Sequence, residues 1–235
     1  MAYLQVVQQF CDKYGLPSPN SLVASTDVTF RQLHALCVEA VQDLSNEKWQ
    51  ATKKRVTFTS VAAADQGSIL TLFGSGYNQV QKDSLWDNTA VQRIFGPVSE
   101  QVWQMFQAAP ASGPSYYFTI FDNHLWVNPV PPAGHSLSIF VQTNLLVFDG
   151  DTGAAKELPT KDNDTFKFSD RLLKAQLEWR FLKQKGESWP ASKEQADDVL
   201  IGDLTNDGAY PTLSLERQGT DFQPGIWIPA GSWNV

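Results

Sequence analysis

The residue types that most often carry chemistry are few in this chain and widely spaced. The three histidines, His34, His124 and His135, share no spacing typical of a metal site. The last two fall in or beside predicted turns, where we expect them to be exposed to solvent. Cys11 and Cys37 form no CxxC pair, and both fall on apolar faces of predicted helices. We therefore predict no metal or cofactor site and two reduced core cysteines, as in a protein made in a cytoplasm.

Carboxylates offer the one arrangement that could support catalysis. Asp197 and Asp198 are adjacent, and residues 149–164 contain five acidic residues. Either group could supply a general acid and a general base, as in glycan hydrolases. A solvated helix face and a solvated loop explain the same residues without any reaction. We predict no catalytic residue, and the alternative is a glycan-binding or glycan-cleaving protein that uses surface tryptophans and these carboxylates.

The overall composition is that of a globular protein with a negative surface. The chain has 235 residues, of which 42% are hydrophobic and 18% charged, and its formal net charge is −7. A protein that grips nucleic acid normally has a basic surface, so this balance argues against specific DNA binding. No apolar run reaches the roughly 18 residues that a membrane span requires. We expect no membrane insertion, and residues 1–12 lack the features of a signal peptide.

Amphipathic helices are predicted near both ends of the chain. Between Ser25 and Trp49, apolar residues recur every three or four positions, which places one apolar stripe along a helix. Residues 3–14 give a preceding helix, which we expect to pack antiparallel to it because the connection is short. Such stripes must be covered by other helices, and the chain supplies them only at its two ends. The predicted later helices are residues 172–182 and 191–204, and the predicted bundle comprises residues 1–50 and 166–205.

The apolar period changes to two in the middle of the chain, which is typical of β-strands. A short helix is predicted after Ser99, whose hydroxyl can cap it. The last three predicted strands read as an antiparallel meander. The predicted strands are residues 56–60, Ser68–Phe73, Tyr116–Phe121, Leu125–Asn128 and Leu137–Gln142. The fold class is therefore α+β, a helical bundle built from both ends of the chain with an inserted antiparallel β module at residues 51–148.

Two further segments are predicted to lie outside the bundle and the module. Residues 149–165 form an acidic loop, which we expect to be exposed and mobile in the free protein. Residues 206–235 show no helical or strand period, and we predict an extended C-terminal arm whose aromatic residues order on a partner. The basic face of the helix around residues 171–185 is a second candidate interface. The predicted interface residues are Tyr210, Phe222, Trp227, Ile228 and Trp233 in the arm, and Arg171, Lys174, Arg180 and Lys183 on the helix.

Several short motifs follow one another in an order that identifies a family. They are Leu16-Pro17-x-Pro19, Phe30-Arg31-Gln32-Leu33, Trp49, Phe95-Gly96-Pro97-Val98-Ser99 before Trp103, Leu125-Trp126-Val127-Asn128-Pro129, Pro131-Pro132-Ala133-Gly134, Leu177-x-Trp179-Arg180 and Lys185-Gly186. Each motif is a packing or turn element, so the order of the motifs, and not any single one, indicates the family. Over roughly residues 3 to 205, the chain resembles the head-to-tail adaptors, or tail accessory factors, of short-tailed bacteriophages.

This resemblance implies a non-enzymatic structural protein of the virion neck or tail, made in the host cytoplasm. Adaptors of this kind form a homo-oligomeric ring, usually twelvefold, between the portal protein and a tail nozzle or tube protein. Double-stranded DNA passes through such a ring without specific binding. Twelve copies of a chain with net charge −7 would carry about −84, and a like-charged channel repels DNA phosphates. The basic helix face is then expected to contact another protein subunit, with a solvated face as the simpler alternative.

Overall fold

Helices form at both ends of the described chain and strands form between them, as the change in apolar period predicts. The computed structural model describes residues 1–108 and 115–208. The helices are α1 Tyr3–Lys13, α2 Val28–Ser45, α3 Ile69–Phe73, α4 Glu100–Ala108, α5 Asp170–Lys185 and α6 Pro190–Asn206, with a 3₁₀ turn at Gln50–Thr52. The strands are β1 Lys53–Thr59, β2 Asp65–Ser68, β3 Tyr77–Val80, β4 Leu85–Asp87, β5 Gln92–Phe95, β6 Tyr116–Phe121, β7 His124–Asn128, β8 Ser136–Thr143, β9 Val147–Phe148, β10 Ala155–Lys156 and β11 Thr165–Phe166.

Helices α2 and α5 both begin at a residue whose side chain satisfies terminal backbone N–H groups. The Asp27 carboxylate accepts hydrogen bonds from the N–H groups of Thr29 and Phe30 at the start of α2. The Ser169 hydroxyl does the same for Leu172 in α5, and Gly186 ends α5 in the left-handed conformation with φ of 75°. These caps fix the helix boundaries close to the positions that the sequence predicts.

The predicted bundle from the two ends of the chain is confirmed, but its central helix is α5. Helix α5 packs against α1, α2 and α6. Leu33 of α2 and Leu177 of α5 are fully buried in this core. The Tyr3 hydroxyl of α1 also lies 2.9 Å from the His34 ring of α2, so helices from both ends of the chain cover the apolar stripe of α2.

Truncation of a buried leucine should test this packing. We expect Leu177→Ala and Leu33→Ala each to lower the free energy of unfolding by about 2–5 kcal/mol, because each leaves a cavity in a closed core. Leu70→Ala is the matched control, since this side chain is 69% exposed and should cost less than about 0.5 kcal/mol. Urea unfolding measures all three, and an unchanged midpoint for Leu177→Ala would contradict the bundle.

The β module contains one mixed sheet of eight strands with the order β1-β8-β4-β5-β6-β7-β2, and β3 also pairs with β8. Two features correct the sequence prediction. Strands β5 and β6 are parallel, so the module is not purely antiparallel. Strand β8 pairs with β1, β3 and β4, so the predicted meander from β7 to β8 is wrong. Both pairings join residues far apart in sequence, which period and turn signals do not report.

The predicted strand at Ser68–Phe73 is also wrong, because these residues form the end of β2 and helix α3. The Ser68 hydroxyl accepts a hydrogen bond from the Thr71 N–H and so caps the helix. Ile69 and Phe73 lie four positions apart and are both buried, which is helical spacing. A short apolar run of this kind does not distinguish a strand from a helical turn.

The segment predicted as an exposed acidic loop is largely built into the bundle. Strands β10 and β11 both pair with β9. The backbone N–H groups of Tyr3 and Leu4 donate hydrogen bonds to the carbonyls of Asp164 and Asp162, at 2.7 and 2.9 Å. The Asp162 carboxylate accepts hydrogen bonds from the N–H groups of Leu22 and Val23. Residues 150–155 are exposed, whereas the second half of the segment connects the start of α1 to the loop before α2.

Candidate interaction surfaces

The basic residues predicted to form one face of α5 differ in their exposure to solvent. Arg171 and Lys183 are exposed, as expected. Lys174 is half-buried, and its Nζ donates a hydrogen bond of 2.6 Å to the side-chain carbonyl of Gln9 in α1. Only the two exposed residues are therefore free to contact another subunit without rearrangement.

The predicted position of Arg180 on the basic face must be corrected, because its side chain lies in the interior of the subunit. The residue is 4% exposed. Its guanidinium donates hydrogen bonds to Gln176 and to the carboxylate of Asp43 in α2, and its Nε lies 4.0 Å from Glu39. Position 180 is three residues after Leu177, so helical spacing places it on the buried stripe, a signal that the charge of the side chain obscures.

Two tryptophans and a lysine form a cluster at the outer end of α5. The rings of Trp179 and Trp189 are 6.1 Å apart, and the Lys183 Nζ lies 5.7 and 5.6 Å from their centres. A shallow cleft of about 310 Å³ beside them is lined by Leu36, Glu39, Trp179, Arg180, Lys183 and Gln184. Aromatic rings with a flanking cation are typical of protein–protein interfaces. We call Trp179, Lys183 and Trp189 the tryptophan cluster.

A second aromatic surface lies on the face of the sheet that points away from the module core. Phe121 and Trp126 stack with centres 4.8 Å apart, and Tyr117 contacts both Phe95 and Phe106. Phe95 and Phe121 remain 39% and 40% exposed. The residues of this aromatic patch, which were not among the predicted interface residues, are Phe95, Phe106, Tyr117, Phe121 and Trp126. The composition of β6 could have indicated the patch, because five of its six residues are apolar and both faces of the strand are therefore apolar.

Each histidine has a specific partner, and the side chains of His124 and His135 are 39% and 24% exposed, so the predicted exposure holds for His124 and only in part for His135. His124 Nδ1 lies 2.9 Å from the Asp65 carboxylate, and His135 Nδ1 lies 2.7 Å from that of Asp87. His34 Nδ1 lies 2.9 Å from the hydroxyl of Tyr3. Within the part of the chain that the structure describes, these pairs join strands or helices and each histidine interacts with a different element.

The Asp87 pair makes the stability of the module pH-dependent. Burial alone would raise the pKa of Asp87, but hydrogen bonds from the Ala90 N–H, the His135 ring and the Thr89 N–H hold this pKa below its ordinary value. A lowered folded-state pKa stabilises the fold above the unfolded value of about 3.9, and this contribution is lost as the pH falls through the folded value. We expect Asp87→Asn to cost about 1–3 kcal/mol at pH 7 and less at pH 3, as measured by urea unfolding. Asp122→Asn, at an exposed turn of the same module, is the control and should cost less than about 0.5 kcal/mol at pH 7.

The cysteines are free and buried, as predicted. Burial raises the pKa of the Cys37 thiol to about 12, and burial likewise raises the pKa of Cys11. A thiol that stays protonated at neutral pH is a poor nucleophile and a poor metal ligand. Both cysteines therefore act as small apolar residues of the bundle core.

Two lysine side chains pair with three of the five carboxylates in the acidic segment. Lys161 Nζ lies 3.0 Å from Asp149 and 2.7 Å from Asp151, and Lys156 Nζ lies 2.8 Å from Asp164. The pKa of Asp149 lies far below its usual range, mainly because the Lys161 ammonium donates a hydrogen bond to its carboxylate. In the described ranges, no three His, Cys, Asp or Glu side chains are arranged to hold a metal ion. The segment is an ion-pair network in which ammonium groups occupy the positions next to the carboxylates.

The carboxylates considered for glycan cleavage are not brought together across one cleft. Asp197 lies 3.6 Å from Lys193, one turn earlier in α6, and lines a groove with Trp179. Its neighbour Asp198 lines a different groove with Arg171. Two adjacent helical residues point about 100° apart, so they do not form an acid–base pair around one substrate.

The arm residues of the predicted interface, Tyr210, Phe222, Trp227, Ile228 and Trp233, lie outside the described residues. None of the helices within residues 1–108 and 115–208 combines the length and apolarity needed to cross a bilayer.

Comparison with known proteins identifies one family. A family model described as SU10 adaptor protein matches residues 1–208. The matched region contains both halves of the bundle, the whole described module and the ion-pair network, and it ends at the last described residue. No curated protein matches the chain.

Proposed function

The chain belongs to the SU10 adaptor protein family, and on that premise we propose that it forms a ring beneath the portal protein and joins the capsid vertex to the tail. It is a phage adaptor protein and a component of the virion. The observation that carries the proposal is the extent of the match, which covers every described element. The bundle, the module and the segment between them therefore form one family unit.

The proposed ring is supported by two different apolar surfaces on one subunit. The tryptophan cluster lies on the bundle, and the aromatic patch lies on the outer face of the sheet. Contacts between different surfaces of identical subunits are heterologous and close into a ring when the rotation allows it. Clusters of partly exposed aromatic side chains are candidate interaction sites. A twelvefold ring, as the resemblance implies, would match the portal.

The proposed passage of DNA through the ring is supported by charge. A net charge of −7 on each subunit repels phosphates and disfavours a grip on the duplex. We further propose that the protein has no enzymatic role and that its second partner is a tail nozzle or tube protein. Synthesis in the host cytoplasm is part of the same proposal.

The test is co-expression of the full chain with the portal protein of its own phage. We expect the two to co-purify, and we expect native mass spectrometry and negative-stain images to show a ring with the symmetry of the portal. A monomer that does not bind the portal at micromolar concentration would overturn the proposal. Release of reducing sugar from peptidoglycan, lost in Asp197→Asn, would instead support the glycan-cleaving alternative.

A further inference from the structure

A cationic cleft lies at the junction of the bundle and the β module. Its volume is about 350 Å³. Of the nine described residues that line it, three are lysines, four are glutamines, two are valines and none is acidic. The lysines are Lys48, Lys53 and Lys82, and we call this site the lysine cleft. Its charge is opposite to that of the whole chain, whose formal net charge is −7.

The sheet fixes the position of the lysine cleft. Gln142 of β8 lies opposite Lys53 of β1 on one side and opposite Gln79 of β3 on the other. Neighbouring strands are about 4.8 Å apart, so Lys53 and Gln79 are separated by about 10 Å across the sheet. Lys48 lies between α2 and β1, and Lys82 follows β3. The lysines therefore come from separate parts of the chain, and the fold brings them to one site.

The lysines of the cleft have no ionic partner in the described subunit. Within residues 1–108 and 115–208, none of their ammonium groups forms an ion pair or a hydrogen bond. The carboxylate of Asp207 lies beside Gln50, but it accepts hydrogen bonds from the N–H groups of Gln50 and Ala51. Like charges gathered at one site repel each other unless an anionic group lies between them. The lysine cleft is therefore suited to bind an anionic group.

Protein carboxylates fit this cleft better than DNA phosphates do. A duplex is too wide to enter a recess of this volume and would reach only its rim. Val80 and Val141 supply apolar surface to the lining, which apolar atoms of a partner side chain can cover. The glutamine amide groups can donate hydrogen bonds to carboxylate oxygens. An acidic segment of a protein matches both the charge and the lining of the cleft.

A second copy of the chain carries a matching surface on α6. Glu194, Asp198 and Ile201 recur at positions i, i+4 and i+7, so they form one stripe along the helix. All three are exposed, and Ile201 is 54% exposed. The opposite face of α6 carries Ala196 and Val199, which are buried. The acidic stripe therefore offers two carboxylates and one apolar side chain on the outside of the subunit.

The acidic stripe does not pair with the cleft of its own subunit. Asp207, which directly follows α6, contacts Gln50 of the cleft, and Asp198 lies nine residues earlier in the chain. At 1.5 Å per residue, this separation is about 14 Å along the helix, well beyond the roughly 4 Å of an ion pair. A contact between the stripe and the cleft therefore requires two copies.

We infer that α6 of one copy lies across the lysine cleft of the next copy. Glu194 and Asp198 pair with the cleft lysines, and Ile201 packs on the valines. The inference deepens the proposed function and rests on it, because the contact joins two different surfaces of identical subunits. Such a heterologous contact, repeated around an axis, closes into a ring.

Cross-linking of lysines to carboxylates tests the contact directly. Isotopically labelled and unlabelled full chains are assembled together, free and on the portal, and treated with a water-soluble carbodiimide. We expect cross-links that join Lys53 or Lys82 of one copy to Glu194 or Asp198 of a copy with the other label. If the cross-links of these lysines stay within one chain, a segment of the same subunit occupies the cleft and the inference is overturned.

Charge reversal provides a second test. Lys53→Glu combined with Lys82→Glu should weaken self-association at least about 100-fold, because like charges then face each other across the contact. Glu194→Lys combined with Asp198→Lys should have the same effect. All four substitutions in one chain exchange the two charges and should restore association.

The control for charge reversal changes two exposed lysines that do not line the cleft. Lys54→Glu combined with Lys185→Glu alters the net charge as much as the cleft substitutions do, and association should be unchanged. Sedimentation velocity measures association of the free chain, and native mass spectrometry counts the copies on the portal. None of the substituted side chains is buried, so every variant should keep the urea midpoint of the parent chain.

Several results would overturn the inference. One is association that survives reversal of the cleft or of the stripe, and another is a fourfold variant that does not recover. A cleft variant that associates normally but no longer retards a short DNA duplex would assign the cleft to phosphates instead. A ring on the portal that ignores these substitutions would contradict the inference alone, whereas a charge-dependent contact in a chain that does not bind the portal would contradict only the proposed function.

Discussion

Replacement of Asp164 by alanine should be among the most damaging single changes in the chain, lowering the free energy of unfolding by about 3–5 kcal/mol. The side chain is fully buried. Its carboxylate accepts hydrogen bonds from the N–H groups of Thr160, Lys161 and Gly150, at 2.7, 2.9 and 3.3 Å. Alanine would leave these groups unsatisfied and would remove one of the two carboxylates that pair with the Lys156 ammonium, which is why the expected cost is large.

Asp151→Ala is the matched control, because it removes a carboxylate from the same segment. Asp151 is paired with Lys161, but its side chain is 57% exposed, so solvent screens the pair and its loss should shift the urea midpoint far less. Urea unfolding at pH 7 compares the two variants. If Asp164→Ala unfolds at the same urea concentration as the parent chain, the segment does not stabilise the bundle.

The contrast between Asp164 and its exposed neighbours shows which features of the fold local sequence patterns do not predict. Alternation and helical spacing predicted the bundle, strands β1, β6, β7 and β8 and several caps, because these depend on residues close in sequence. The burial of Asp164 and Arg180 depends on partners supplied by other segments, including Lys156 for the first and Asp43 for the second. A composition that is acidic over 16 residues favours a solvated loop, and only the fold shows that its lysines and backbone N–H groups converge on the carboxylates.

Sequence patterns predicted less of the candidate interaction surfaces than of the fold. Arg171 and Lys183 were placed on an exposed basic face by helical spacing alone, and the structure exposes both. The aromatic patch was missed because its members come from α4, β5, β6 and β7, and the parallel pairing of β5 with β6 that aligns Phe95 with Tyr117 has no local signal. An interface assembled from four elements becomes visible only when the order of the strands is known.

Truncation of the chain after Gly208 should weaken binding to the portal by at least about 100-fold while the subunit still folds. Two buried tryptophans remove roughly 300–500 Å² from water, which at about 25 cal/mol per Å² contributes several kcal/mol before the cost of ordering the arm is subtracted. Each 1.4 kcal/mol that remains is a tenfold change in affinity. The cut must follow Gly208 because Asp207 holds the start of the β module through Gln50 and Ala51.

The double substitution Trp227→Ala with Trp233→Ala should reproduce most of that loss, and Gln218→Ala with Gln223→Ala, in the same segment, should not. Chymotrypsin provides an independent measurement, since cleavage after Phe222 and Trp227 should be fast in the free subunit and slow once the portal is bound. A shortened chain that enters particles as well as the full chain would show that the aromatic end of the arm is not an interface. The tryptophan cluster and the aromatic patch, which truncation leaves in place, would then have to hold the ring and the portal without it.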